Sequence, residues 1–129
     1  SPVIVAVRDI QTVSELSQLN AQIMGADTDP FYGAGTVLVV LADSSVNTYR
    51  DDGALVMGNL LNAAHAVGVD SCFIYRAREM FKTEKGKEFL KKWGLDEKYE
   101  GIGNCILGYG AEGGIRPASE RKKGYIIWD

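Results

Sequence analysis

The pattern of apolar positions along the chain predicts four strands and a possible fifth. Nearly continuous runs of Val, Ile and Leu are typical of strands that are buried on both faces of a sheet. Such runs occupy residues 3–7, 36–42 and 102–109. A shorter extended segment covers residues 71–75, and residues 125–128 have the composition of a last strand at a sheet edge.

Three other segments have helical spacing. Residues 14–24 carry apolar side chains three or four positions apart, and Thr12 or Ser14 is the expected N-cap. Residues 51–67 and 79–93 are the other predicted helices, and Gly68 and Gly94 follow them as stop signals. Residues 27–35, rich in Asp, Gly and Pro, are expected to form a loop. Because helices and strands do not alternate strictly, the pattern favours an α+β fold.

The predicted helix 51–67 lacks the polar face of an ordinary surface helix. After Gly53, only Asn59, Asn62 and His65 interrupt its apolar character. A helix of this kind has to be buried all round, either in its own core or against another subunit. Small residues along it, such as Gly58, permit close approach of a second helix. We interpret it as the central helix and as a dimer contact.

Length and charge narrow the classes of protein that need consideration. At 129 residues the chain corresponds to one domain, residues 1–129. Its formal net charge of −3 argues against a nucleic-acid partner. The longest apolar run, residues 36–42, is too short to span a bilayer, and no basic segment with an apolar stretch opens the chain. The cytoplasm is therefore the expected location.

The sequence offers few groups for chemistry by the protein itself. Its one histidine, His65, has no evident nucleophile beside it and is expected to be buried and hydrogen-bonded. Cys72 and Cys105 are expected to be buried thiols, and no spacing typical of metal ligands is present. The glycine pairs in residues 33–35 and 101–103 precede strands, so they indicate turns rather than a dinucleotide-binding loop. We therefore expect a bound cofactor to carry any reaction.

Several motifs resemble the nitroreductase family of FMN-dependent oxidoreductases. The most specific is DGALVMGNLLNAAHAVGVDSCFI at residues 52–74, which is similar to the family's central helix and the strand after it. Further similar stretches are FLKKWGL at 89–95, GNCILGYG at 103–110, DPFYGA at 29–34, and the pair Arg121-Lys122. The resemblance covers nearly the whole chain.

The resemblance implies a mixed sheet flanked by helices, and a homodimer with FMN at its interface. In such proteins electrons pass from NAD(P)H through flavin N5 to nitroaromatic compounds, quinones or similar acceptors by a ping-pong mechanism. The segment after the central helix would lie against the isoalloxazine ring, and late basic residues would meet the phosphate. The implied cofactor-binding residues are Ser71, Cys72, Phe73, Ile74, Tyr75, Arg76, Arg121 and Lys122. Phe31 and Tyr32 would form the substrate pocket, and no side chain or metal ion is expected to act as the catalyst.

Two departures from the family pattern open an alternative. The family's amino-terminal Arg-Ser-x-Arg helix and its Pro-Ser-x-x-Asn-x-Gln loop have no counterpart, since the sequence begins at the strand that follows that loop. Gly35 also stands where the family has a proline. The missing motifs would supply about half of the flavin contacts. The alternative hypothesis is a non-catalytic binding or structural module, or a fragment, with the same fold and weak or no flavin binding.

Overall fold

The computed structural model describes residues 2–114 and 116–129. Four strands and four helices occur in these residues. In chain order they are β1 (Pro2–Val7), α1 (Ile10–Met24), β2 (Thr36–Asp43), α2 (Tyr49–Ala66), β3 (Asp70–Ile74), α3 (Ala77–Met80), α4 (Glu84–Lys92) and β4 (Tyr99–Gly108).

The four strands form one sheet in the order β1-β2-β4-β3. All three pairs of neighbours are antiparallel, and a register shift between Val40 and Leu41 bends the central pair β2–β4. The predicted α+β class is confirmed. The expectation of a mixed sheet is wrong for these four strands, because no two neighbours run in the same direction.

Helices cover the two faces of this sheet unequally. On one face, α1, α3 and α4 pack against β2 and build the main core, with Leu16, Val39 and Leu90 among its buried side chains. On the other face, α2 covers a smaller cluster formed by Val40, Met57 and Cys105. Residues of β2 alternate between the two clusters, as a strand's side chains must. The prediction that this strand is buried on both faces is confirmed.

The first strand and the first helix differ from prediction at their edges. In β1 only Val7 is buried, because the strand lies at the edge of the sheet, so the prediction of burial on both faces is wrong. Helix α1 begins at Ile10, four residues before the predicted start. Its N-cap is Asp9, whose carboxylate accepts a hydrogen bond from the Thr12 backbone N–H at 2.8 Å. Thr12 and Ser14 therefore lie inside the helix.

The single helix predicted over residues 79–93 is two helices. Helix α3 ends at Met80 and α4 begins after Thr83, whose hydroxyl accepts a hydrogen bond from the Gly86 backbone N–H at 3.0 Å. At Gly86 a Cβ would overlap the Met80 carbonyl group, so the glycine allows the chain to fold back closely at this joint. The break places α3 beside β4 and leaves α4 free to complete the main core.

Helix α2 is not buried all round by its own chain. Gly53, Met57 and Ala64 are its buried residues, whereas Leu55 is 70% exposed. His65 is exposed as well, which overturns the expectation that it is buried. The second interpretation of this helix, contact with another subunit, stays a prediction. None of the described helices is long and apolar enough to cross a membrane.

The described residues after β4 are exposed. The described residues from 109 onwards (109–114 and 116–129) contain no helix or strand, so the predicted strand at 125–128 is wrong. Ile127 and Trp128 are almost fully exposed. Apolar composition alone does not form a strand, because a strand needs a neighbour for its backbone hydrogen bonds, and the described residues provide none here. We call residues 109–129 the tail.

Candidate functional site

Four of the predicted site residues come together where β3 passes into α3. We call this segment, residues 73–77, the corner. The rings of Phe73 and Tyr75 lie on the same side, with centroids 5.2 Å apart, and are 37% and 70% exposed. Ile74 points to the opposite face and is buried in the main core. The corner therefore presents a pair of aromatic faces to its surroundings, and Ile74 anchors it to the core.

Two glycines of β4 let the corner lie close to the sheet. A Cβ at Gly103 would overlap the Phe73 ring, and a Cβ at Gly101 would overlap the Ala77 carbonyl group. Both glycines lie inside the strand, paired with β2, so the interpretation of this glycine pair as a turn is wrong. Their function in the fold is close approach of another segment.

Arg76, which lies between β3 and α3, has an unusual backbone conformation and an unpaired hydrogen-bond donor. Its φ is +75°, in the left-handed region that residues with a Cβ seldom adopt. Its guanidinium contacts the Met24 sulfur, and its buried Nε has no hydrogen-bond partner among the described residues. A buried N–H group without a partner is uncommon and calls for an explanation.

Two buried asparagines that the sequence analysis did not single out support the corner. Asn20 of α1 donates a hydrogen bond to the Tyr75 carbonyl at 2.7 Å, and Asn104 of β4 lies 3.5 Å from the Ile74 carbonyl. We call Asn20 and Asn104 the amide pair. A signal for both was present in the sequence, because each is a polar residue at a position where the apolar pattern predicts a core side chain.

A second group of predicted residues lines a cavity at the other end of β3. Its volume is about 830 Å³, and its walls include Phe31, Tyr32, Ser71 and Cys72 together with the last residues of β4. Cys72 is exposed there, so the expectation of a buried thiol is wrong for it and right only for Cys105. The structure thus brings together the predicted substrate-pocket residues and the first two predicted cofactor-binding residues.

The carboxylate of Asp29 holds the loop that carries Tyr32. It accepts hydrogen bonds from the backbone N–H groups of Phe31 at 2.8 Å and Gly33 at 2.6 Å, and from the Ser17 hydroxyl at 2.5 Å. Burial raises the pKa of the Asp29 carboxyl, but these hydrogen bonds outweigh it and hold the pKa below its ordinary value. The loop is therefore fixed when Asp29 is ionised.

The backbone of Tyr32 gives this loop a further distinction. With a φ of +52° it is one of two residues other than glycine that have positive φ in the described part of the chain, and Arg76 is the other. Left-handed backbone at such residues is often found at functional sites, since the fold has to enforce it. Both residues belong to the set that the sequence analysis selected. At 80% exposure, the Tyr32 side chain is free to contact a ligand in the cavity.

The remaining two predicted residues, Arg121 and Lys122, lie in the tail. Both are exposed, and the Arg121 guanidinium lies 5.5 Å from the centre of the Tyr125 ring. Within residues 2–114 and 116–129, no hydrogen bond or ion pair joins either side chain to the corner or to the cavity. The structure therefore leaves these two residues apart from the other eight.

The corner and the cavity lie at opposite ends of β3 and together carry eight of the ten predicted site residues. They supply aromatic faces, one guanidinium N–H and an ordered loop, and they are joined by the five residues of β3. Groups of this kind bind a flat ring system with a polar edge, and they tune or shield it rather than transfer protons themselves.

Comparison with solved structures identifies the fold. A nitroreductase from Bacteroides fragilis with bound FMN matches with a TM-score of 0.86 and 22% identity, over 99% of this chain and 75% of that chain. A nitroreductase from Desulfitobacterium hafniense with bound FMN matches with a TM-score of 0.82 and 19% identity, over 99% and 75%. Iodotyrosine deiodinase bound to FMN and 3-iodo-L-tyrosine matches with a TM-score of 0.72 and 15% identity, over 99% and 76%.

The other two comparisons are negative. No protein-family model and no curated protein matches the sequence. The structural likeness extends over nearly the whole chain, whereas identity with each of these three proteins is below a quarter. The resemblance found in the sequence motifs is thus confirmed at the level of the fold. The chain has the fold of the nitroreductases.

Proposed function

We propose that the protein is an FMN-dependent oxidoreductase of the nitroreductase type. The observation that carries this proposal is the likeness over 99% of the chain to a nitroreductase with bound FMN. The corner adds support, because residues that the motif resemblance implicated carry an exposed aromatic pair and a buried, unpaired Arg76 Nε–H.

The residues of the corner fit the flavin part of FMN. Phe73 and Tyr75 offer aromatic surface to a flat ring system, and Arg76 Nε offers a donor to an oxygen or nitrogen at its polar edge. Arg121 and Lys122 are the proposed partners of the phosphate, since a dianion is best held by charge-assisted hydrogen bonds. For this the tail would have to lie against the corner when FMN binds.

Bound FMN would supply the transfer of hydride or electrons, which no side chain provides. We propose NAD(P)H as the donor, and nitroaromatic compounds, quinones or similar molecules as acceptors that follow it into one pocket in ping-pong order. Tyr75 and Arg76 would shape this pocket from the corner, at the opposite end of β3 from the cavity. Phe31 and Tyr32, on the loop held by Asp29, would cap it and exclude water.

We further propose that the protein is a homodimer in which a second copy covers α2. Several apolar side chains of this helix are exposed in the single chain. Leu55 is 70% exposed, and Val67, which follows the last residue of α2, is 76% exposed. Apolar surface of this extent on one helix is typical of a face that packs against another protein. A copy of the same chain is the partner that the nitroreductase resemblance favours.

The first test is a titration of the protein with FMN, followed by quenching of flavin fluorescence. The parent protein is expected to bind FMN, and Arg76→Gln is expected to weaken binding about tenfold, because a hydrogen bond from a charged group contributes roughly 1.5–3 kcal/mol. Arg78→Gln is the matched control: Arg78 lies two positions further on, is exposed and pairs with Glu100 at 3.6 Å. Absence of FMN binding by the parent would overturn the proposal.

The second test concerns the electron donor. With FMN bound and oxygen removed, addition of NADH or NADPH is expected to bleach the visible absorption of the flavin, and a nitroaromatic compound or quinone is expected to restore it. A protein that binds FMN but is bleached by neither nucleotide would contradict the proposed donor and leave the FMN proposal standing.

A further inference from the structure

The two asparagines of the amide pair are buried where apolar side chains are expected. Asn20 and Asn104 are each 0% exposed. Asn20 lies on the face of α1 that also carries Leu16 and Ile23, and Asn104 lies in a strand whose neighbouring residues are apolar or glycine. Burial of a primary amide is unfavourable unless its polar atoms find partners, so each position requires an explanation.

Both side chains use their N–H groups on the same short piece of backbone. Asn20 Nδ2 lies 2.7 Å from the Tyr75 carbonyl oxygen and 3.3 Å from the Met80 sulfur. Asn104 Nδ2 lies 3.5 Å from the Ile74 carbonyl oxygen and 3.4 Å from the same sulfur. Helix α1 and strand β4 are far apart in sequence, and each places an amide N–H group beside one of two successive carbonyl groups of the corner.

The side-chain oxygens of the amide pair, in contrast, make no such contact. Asn20 Oδ1 and Asn104 Oδ1 are buried and have no hydrogen-bond partner among the described residues. A leucine at either position would remove the unpaired oxygen, but it would also leave the Tyr75 or the Ile74 carbonyl without its side-chain donor. Each amide therefore holds one carbonyl group of the corner and leaves its own oxygen unpaired.

That use is indicated by the backbone that they hold. The residue after Tyr75 is Arg76, with its φ of +75° and its unpaired Nε. Strained backbone persists only where the surrounding structure over-determines it, and the amide pair supplies such contacts immediately before the strained residue. Three buried polar atoms without a partner among the described residues therefore lie at or beside the corner: Arg76 Nε, and the side-chain oxygens of the two amides that hold it.

We propose that Asn20 and Asn104 are positioning residues of the flavin site. By holding the carbonyl groups of Tyr75 and Ile74, they keep the aromatic pair and Arg76 in the arrangement that accepts the flavin ring before it arrives. This inference rests on the proposed FMN function. It assigns the two residues a part in binding that neither would have if they only stabilised the core.

The test compares Asn20→Leu and Asn104→Leu with the parent protein in three measurements. Hydrogen exchange of the backbone amides of residues 75–77 is expected to be about tenfold faster in each variant, because one hydrogen bond that restrains the corner is lost. The Kd for FMN is expected to rise by a similar factor of about ten. The midpoint of urea unfolding is expected to change little, because removal of the unpaired oxygen offsets the loss of the carbonyl group's donor.

A matched control comes from the same helix. Thr12→Val replaces another buried polar side chain of α1 by an apolar one of the same shape, and removes its hydrogen bonds with Asp9 and Lys92 at the end of the helix far from the corner. It is expected to leave the FMN affinity and the exchange of residues 75–77 unchanged. Should Asn20→Leu fail to fold, Asn20→Ala, which needs no additional space, replaces it in the exchange and FMN measurements.

The possible outcomes separate this inference from the proposed function. If both leucine variants bind FMN as tightly as the parent, the amide pair has no positioning role and the inference is overturned, whatever happens to stability. If the parent itself does not bind FMN, the proposed function is overturned and the flavin role of the pair falls with it. Faster exchange at the corner, weaker FMN binding and retained stability together would support the inference.

Discussion

Apolar side chains lie on both faces of the sheet, but many more of them are buried on one face than on the other. The face covered by α1, α3 and α4 contains fifteen buried side chains among the described residues. The face covered by α2 contains three, although α2 carries apolar residues along most of its length after Gly53. Three helices can enclose a sheet face between them, whereas one helix covers a stripe and leaves its own outer side open.

This difference teaches that the apolar content of a helix does not specify what covers it. Leu16 in α1 is fully buried and Leu55 in α2 is 70% exposed, yet each is an apolar residue of a predicted helix. The main core is complete within one chain. The α2 face is complete only if another molecule lies on it, which is the proposed homodimer.

The largest expected effect tests the difference between the two faces directly. Leu16→Ala removes a fully buried side chain of the main core and is expected to lower the free energy of unfolding by about 2–5 kcal/mol. Leu55→Ala, the same change on the open side of α2, is expected to change it by less than about 0.5 kcal/mol in a monomer. Urea unfolding at low protein concentration measures both, and equal effects would contradict the comparison.

A smaller effect is expected from adding one methyl group at two glycines. Gly103→Ala would force the Phe73 ring away from the sheet and is expected to lower the free energy of unfolding by about 1–3 kcal/mol. At Gly58 a Cβ meets no atom, so Gly58→Ala is expected to raise the free energy of unfolding of the monomer by about 0.5–1 kcal/mol through helix propensity. Thermal unfolding distinguishes the two signs, and destabilisation by both substitutions would contradict the described packing of α2.

A pH-dependent contribution is expected from Asp29. Because its pKa is below the ordinary value in the folded protein, its stabilising contribution is complete above about pH 4 and is lost as the pH falls through the folded pKa. Asp29→Asn is therefore expected to flatten part of the decrease in stability below about pH 4. Asp9, Glu15 and Asp43, whose pKa values are also lowered by hydrogen bonds, would contribute to the rest. An unchanged pH profile in the variant would show that the Tyr32 loop does not depend on this carboxylate.

The smallest expected effect on monomer stability is the most informative about assembly. Leu55→Glu is expected to change the unfolding of the monomer by less than about 0.5 kcal/mol, since the side chain is exposed. If a second copy covers α2, the buried carboxylate would dissociate the dimer, which sedimentation would detect as a loss of the dimer peak. A parent protein that sediments as a monomer at all concentrations would overturn the proposed homodimer.

Most of the secondary structure could be predicted because its signals are local. The apolar run of β2, the loop after α1 and the stop at Gly94 each depend on a few neighbouring residues. The failures share a cause. Thr83 divides a predicted helix because the chain has to fold back against Met80, and residues 125–128 form no strand because no described neighbour pairs with them.

The candidate site was predictable in part for the same reason. Tyr32 and Arg76 were found through sequence motifs, and the structure then showed their unusual backbone. Asn20 and Asn104 were missed because their partners are 55 and 30 residues away along the chain. The local sequence pattern does not indicate which carbonyl group accepts the hydrogen bond of a buried amide.

The sequence by itself determined the α+β class, most of the strands and helices, and a motif set whose resemblance the nitroreductase fold bears out. These follow from local propensity and from the spacing of apolar residues. Only the tertiary structure decided that β1 is an edge strand, that one side of α2 is open, and that two glycines of β4 make room for the corner. Each of these depends on which distant segment lies alongside, and burial is a property of such contacts rather than of the residues themselves.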